Sequence, residues 1–246
     1  MSGESFLSGN YFYYSTVRST DGAGNSSRFA NNGRFSNHWI SIFFEHGITD
    51  RLTFEANLPY SINRFSDDFI TVTGSGFADQ EYGIRYVLHG NNFQIAARGM
   101  VSVPFLYTLE TIPELGFDQF AGQLSMVAGK GFDVYTEGWW IAELGYRHYF
   151  GDASNQVRYF LLGGLHLSET VMGMIKIDGI HGLTRGEFAS DYNPSIISGF
   201  SLIKGTLSFA YSVSDMIAIE AGYLRDIMSW NTGLGHGLMF SVWFQF

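Results

Sequence analysis

From Leu52 to Asn63 the chain alternates without a break. Leu52, Phe54, Ala56, Leu58, Tyr60 and Ile62 fall on one face, and Thr53, Glu55, Asn57, Pro59, Ser61 and Asn63 on the other. A period of two is that of a strand with one apolar and one polar side. The last stretch has the same design, with Leu238, Phe240, Val242, Phe244 and Phe246 alternating with Gly237, Met239, Ser241, Trp243 and Gln245. Each run is long enough to cross a bilayer, for which about 9–11 tilted residues suffice. An open sheet edge in hydrocarbon would leave N–H and C=O groups unsatisfied. A spanning sheet must therefore close into a barrel, apolar outside and polar within.

Composition agrees with that constraint. Aromatic residues make up 17% of the chain and Pro contributes only 4 residues, so strand formers abound and strand breakers are scarce. No run of 18 apolar residues exists, and mean hydropathy is near zero at +0.03, which excludes a helical membrane protein but not a barrel. There is no Cys, hence no disulfide framework, a state compatible with the periplasm or outer membrane. The opening Ser2-Gly3-Glu4-Ser5 has neither the basic nor the apolar region of a signal peptide, so Met1 is expected to be an added start on a mature protein. A net charge of −9 argues against non-specific nucleic-acid binding.

The pattern predicts about twelve strands. They lie near Gly9–Arg18, Arg34–His46, Leu52–Arg64, Asp79–His89, Phe93–Phe105, Gln119–Lys130, Trp139–Phe150, Val157–Ser168, Val171–Asp178, Ser195–Ser212, Met216–Ile227 and Gly235–Phe246. Tight joins are expected at Gly47-Ile48-Thr49-Asp50, Gly90-Asn91-Asn92 and Val213-Ser214-Asp215. Long loops are expected over Thr20–Gly33, Phe65–Ala78, Leu106–Asp118 and Gly179–Pro194. Short turns belong on the periplasmic side and long loops outside, which makes both termini periplasmic. Around Lys204-Gly205 the alternation loses phase, the mark of a bulge or bend. Ten or fourteen strands remain alternatives. The fold class is all-β, a transmembrane antiparallel up-and-down β-barrel forming a single domain over residues 1–246 in the bacterial outer membrane.

Four segments carry a family resemblance: GITDRLTFEANLPY (Gly47–Tyr60), GFADQEYGIRYVL (Gly76–Leu88), YSVSDMIAIEAGY (Tyr211–Tyr223) and NTGLGHGLMFSVWFQF (Asn231–Phe246). Together they resemble the outer-membrane family called "MetA-pathway of phenol degradation", whose members are similar to porin-like transporters found beside pathways of aromatic catabolism. The resemblance implies passage of small, often hydrophobic compounds and brings no catalytic residues.

Function in such a barrel lies in the lumen. The alternation sends Glu45, Glu55, Glu81, Glu143 and Glu220 inward together with Arg85, Arg98, Arg147 and Arg158, because their neighbours form the apolar faces. Twelve strands should leave a narrow or partly plugged passage, which charge pairs can fill. Two readings stand open. These residues are a structural ion-pair network, or the arginines form a selectivity lane for a carboxylate or phenolate. Trp39, Phe43, Trp139, Phe160 and Trp243 also point inward, either to stack on an aromatic solute or to plug the lumen. Tyr11, Phe12, Tyr13, Tyr14, Tyr60, Trp140 and Tyr146 are expected in the interfacial girdles. Phe246, with Phe244, Val242 and Phe240, resembles the C-terminal signal read by the barrel-assembly machinery.

An enzyme reading rests on His166 and Ser168, an H-x-S pair resembling that of outer-membrane lipid hydrolases. Their face is the luminal one, away from lipid, and Glu169 stands where that motif has Asn, so the chain is read as a non-enzyme. No metal-ligand spacing occurs. His38 and His46 are eight apart and are expected at the membrane interfaces, and Asp21, Asn25, Asn31 and Asn32 form a solvated loop in preference to a Ca²⁺ site. No cofactor is expected. The sequence reading is an outer-membrane channel for passive uptake or export of a small organic solute, aromatic or anionic. Its alternatives are a general or largely plugged porin and, second, a lipid hydrolase. The expected partners are that solute, the lipids and lipopolysaccharide of the outer membrane, and the assembly machinery, with no nucleic acid.

Overall fold

The computed structural model describes residues 2–90, 93–106, 111–133, 136–184, 190 and 192–246. In chain order its strands are β1 (Ser5–Thr16), β2 (Arg18–Thr20), β3 (Ser26–Arg28), β4 (Arg34–Gly47), β5 (Leu52–Ser66), β6 (Thr71–Phe77), β7 (Gln80–Gly90), β8 (Gln94–Val103), β9 (Ala121–Asp133), β10 (Glu137–Tyr149), β11 (Gln156–His166), β12 (Val171–Gly182), β13 (Ser201–Ser212), β14 (Ile217–Trp230) and β15 (His236–Gln245). All wall pairings are antiparallel, and β1 closes the sheet by pairing with both β4 and β15. β6 and β7 make one wall strand broken at Ala78-Asp79, and β2 and β3 form a small separate hairpin, so the barrel has twelve strands. Backbone bonds from Ser5 N to Phe246 O (2.6 Å) and from Phe246 N to Ser5 O (3.0 Å) seal the seam. No edge is left to meet lipid.

The faces sort as the alternation requires. Outward residues such as Ile42, Ile84, Val101, Leu124, Leu144, Ile175, Leu207 and Phe240 stay exposed around the wall. A continuous apolar belt of this kind is stable only against hydrocarbon. Directly opposed residues share a face, so the pairs Glu45↔Glu55, Arg85↔Arg98 and Glu220↔Ser241 carry the inward register around the barrel.

Several boundaries differ from expectation. β1 begins four residues earlier than Gly9 and ends at Thr16. Thr71–Phe77, expected as loop, extends the β5 hairpin beyond the membrane belt. Its small residues carry no hydrophobic signal. A Cβ on Gly74 would stand 2.5 Å from the Pro113 carbonyl, so the position must stay bare for a loop to lie against it. β12 runs on to Gly182, whereas Ser195–Phe200 lies outside any strand and β13 starts at Ser201. The expected loss of phase near Lys204-Gly205 is a register shift between Ile203 and Lys204, whose extra residue, Ile227, sits in β14. A second shift, between Val87 and His89, carries no sequence signal. The expected joins fall at residues 48–51 and 213–216, while Asn91 and Asn92 of the third lie outside the described residues.

Candidate functional site

Glu55, on β5, is the centre of the lumen. Register places Arg85 of β7 and Arg98 of β8 directly opposite each other, two like charges that would repel if left alone. The Glu55 carboxylate sits between them, 3.2 Å from Arg85 Nη1 and 2.6 Å from Arg98 Nε. Arg85 also reaches Glu45 at 3.3 Å, and Arg98 Nη1 reaches Glu143 on β10 at 2.9 Å. Gln123 Nε2 donates to Glu143 at 3.3 Å, and its Oε1 accepts from Arg147 Nε at 2.9 Å. Arg147 Nη2 then bonds Glu81 at 2.5 Å, with Arg158 at 3.9 Å from the same carboxylate. A single chain of charge thus runs Glu45, Arg85, Glu55, Arg98, Glu143, Gln123, Arg147, Glu81, Arg158. Because Arg98 ties β8 to β5 and β10, and Arg147 ties β10 to β7, the chain braces the contiguous arc of wall from β4 to β11 on its luminal side.

Every candidate of the two charged series faces inward, and eight of the nine join this network. Glu220 stands apart, held by Lys176 of β12 at 2.6 Å. Lys176 alternates with Ile175 and Ile177 inside the expected strand Val171–Asp178, so the period of two marks it as luminal, although the cations singled out from the sequence are all arginines. Members of the network differ in access. Glu55 is 1% exposed and Arg147 7%, whereas Arg85 and Arg158, towards its two ends, keep 30% and 29% of their side chains open. A recess of about 300 Å³ opens between Arg158, Glu81, Arg98, Phe160 and Asp178.

Rings occupy the rest of the wall. Trp39 and Phe43 on β4 and Trp243 on β15 face inward, opposite Phe12 and Ser8 of β1. Phe6 packs between Phe43 and Trp243 at 6.4 and 6.3 Å. Across the barrel, Trp139 lies on the inward face of β10 with its Nε1 3.4 Å from Met172 Sδ, and Phe160 faces inward on β11. Tyr11 and Tyr13 stand on the outer face, but Phe12 and Tyr14 do not. Four consecutive aromatic residues on one strand cannot share a face, and Tyr14 turns in to donate to Asp226 Oδ2 at 2.6 Å. Lys204, opposite Asp226, lies over the Tyr14 ring.

Loops fold into the mouth at the long-loop end. The Glu114 carbonyl accepts from Nδ2 of the luminal Asn63 at 2.5 Å and of Asn193 at 2.6 Å, while Ser190 Oγ donates to the Glu114 carboxylate. Leu115, Ile196 and Phe200 are buried. Phe117 stacks on Phe200 and packs against Tyr149, and Phe117 N donates to Asp79 at 3.0 Å. Asp79 lies in the gap between β6 and β7, so this bond ties the roof to the wall there. Sequence patterning gave no sign of this roof, since loop packing has no period.

The His166/Ser168 pair does not assemble. Ser168 lies in the turn after β11, where its Oγ accepts from Val171 N at 3.1 Å, and the His166 carbonyl accepts from Thr136. Asp21 folds its carboxylate onto its own loop, bonding Ala23 N, Asn25 N and Asn25 Nδ2, and the hydrogen bonds from Asn25 hold it below the usual carboxylate range. His38 and His46 face outward, bonded to Tyr11 and Ser5.

No protein-family model matches the chain, and no curated protein sequence matches it. Solved structures do. Over 100% of this chain and 96% of its own, the COG4313 outer membrane channel from Pseudomonas putida F1 superposes with a TM-score of 0.75 at 14% identity. The chain folds like an outer-membrane channel. The NanC porin aligns over 97% of this chain and 98% of its own with a TM-score of 0.59 at 8% identity. The translocator domain of the autotransporter NalP from Neisseria meningitidis gives 0.54 at 10% identity over 100% and 89%. At these identities the likeness is one of architecture.

Proposed function

We propose that this barrel is a bacterial outer-membrane channel that passes a small organic solute, aromatic or anionic, by diffusion through a constriction of paired charges. The observation that carries the reading is the division of the lumen: a chain of arginines and glutamates along the wall from β4 to β11, beside inward rings on β1, β4 and β15. Apolar walls with a few fixed polar groups suit an amphipathic solute, and a general porin has no use for the rings. The resemblance of the four quoted segments to transporters of aromatic catabolism, together with the channel architecture, supports the same reading. The selectivity lane falls on Arg85 and Arg158, the open arginines towards the two ends, with Trp39 and Trp139 as ring contacts. The anion that Arg85 and Arg98 hold jointly is the protein's own Glu55.

Liposome swelling tests this. Arg85→Gln and Arg158→Gln should slow entry of benzoate several-fold more than that of a neutral sugar of similar size, with the melting temperature within a few degrees of wild type. Equal slowing of both solutes with a lower melting temperature leaves only the structural network. Short turns and both termini are assigned to the periplasm, and the long loops to the outside, following the rule for bacterial barrels.

A further inference from the structure

The outer wall carries a cleft that the channel reading does not use. It has a volume of about 970 Å³ and opens at the long-loop end across β14, β15, β1 and β4, lined by Arg18, Arg34, Arg225, His236, Tyr13 and Tyr223 among others. Register fixes the direction of these side chains. Arg225 opposes His236, which opposes Ser15, and Tyr223 opposes Leu238, which opposes Tyr13; both rows lie on the outward face. Among the described residues no carboxylate pairs with Arg18, Arg34 or Arg225. The one acid on the cleft wall, Asp226, turns to the lumen side, where Tyr14 and Gly235 N bond it and Lys204 stands opposite. In a protein of net charge −9, unpaired arginines gathered on one outer face mark a place for an anion.

We infer that this cleft binds the bis-phosphorylated disaccharide headgroup of an outer-leaflet glycolipid, lipid A. Depth and span select that occupant. Directly below the arginines lies the row of Tyr223, Leu238 and Tyr13, and the next row holds Phe240, Tyr11 and Ile40, the order of phosphate, interface and acyl chain. Arg225 and Arg34 stand on strands three spacings apart, roughly 14 Å at about 4.7–4.9 Å per strand. That separation lets two phosphates at opposite ends of one disaccharide each meet a guanidinium, whereas a phospholipid with one phosphate engages a single side. The cleft volume is at the upper end of small-ligand sites, which run to about 1,000 Å³. The inference rests on the proposed outward placement of the long loops.

Native mass spectrometry of the detergent-purified barrel, titrated with bis-phosphoryl lipid A, monophosphoryl lipid A and phosphatidylglycerol, tests it. One bis-phosphoryl lipid A per barrel is expected, with the other two lipids at least tenfold weaker. Arg34→Gln/Arg225→Gln should lose at least tenfold in lipid A affinity, and Arg64→Gln, on the same rim but outside the cleft, should bind as wild type does. Equal binding of all three lipids, or an unchanged double variant, overturns the inference; if that variant does not fold, the lipid comparison on wild type decides alone. Binding in detergent is independent of orientation, so impermeant labelling of a Cys placed at Ala23 in intact cells is run beside it. Lipid A binding with no labelling from outside overturns the assignment to the outer leaflet. Failure of solute uptake would instead remove the channel reading and leave the cleft untouched.

Discussion

At the scale of single residues, the lumen is built on compensation. Arg85 and Arg98 tolerate each other only because Glu55 lies between them. Replacing Glu55 by Gln keeps the shape and removes the charge, leaving two guanidiniums opposed in a buried place. Breaking a buried pair by removing one partner costs roughly 3–5 kcal/mol, so Glu55→Gln should lower stability by that order in urea-induced unfolding, and more than Glu45→Gln, whose carboxylate is partly solvated. Equal effects would show that the network is not centred on Glu55.

At the scale of strands, the bilayer does the sorting. The alternation from Leu52 to Asn63 told which face of β5 meets lipid, and the same rule placed all nine charged candidates in the lumen, because a charge flanked by apolar neighbours has one place to go. Where the rule had no contrast it went astray. Tyr11-Phe12-Tyr13-Tyr14 is aromatic throughout and carries no phase, and only the pairing with β4 and β15 tells its two faces apart. The small residues of β6 and the bulge opposite Ile203 were silent or blurred for related reasons. Which charge meets which was not legible at all, since Arg98 and Arg147 find partners two or three strands along the wall rather than on the adjacent strand. Depth also matters within a face. Leu58, opposite Ile42, stands in the middle of the apolar stretch, while Phe54 lies near the turn at residues 48–51, opposite His46. Leu58→Arg should cost roughly 2–4 kcal/mol and Phe54→Arg about 0–1, as read from folding yields into vesicles. A similar cost at both positions would mean that the belt is centred elsewhere.

At the scale of the whole molecule, the barrel has one crowded and one plain end. The short-turn end holds the seam where Phe246 and Ser5 exchange backbone bonds, and the long-loop end is roofed by segments meeting at Glu114. The mouth is further filled at that end, where Leu115, Ile196 and Phe200 are buried. Among the polar contacts that hold the roof to barrel strands are that between Asn63 Nδ2 and the Glu114 carbonyl and that from Gly182 N of β12 to the Phe200 carbonyl. A hydrogen bond contributes about 0.5–1.5 kcal/mol net, and a change of one to two kcal/mol shifts a two-state balance by a factor of about 5–30. Asn63→Ala removes the bond to Glu114, together with those its Oδ1 accepts from Asn37 and Ser61, and leaves the backbone pairing of β5 with β4 and β6 intact. Planar-bilayer recordings should then show open time rising at least fivefold with the single-channel current unchanged, because the ion-pair constriction below still limits flow. A larger current at the same open time would place the narrowest point at the roof, and no change in either would mean that the roof is no barrier.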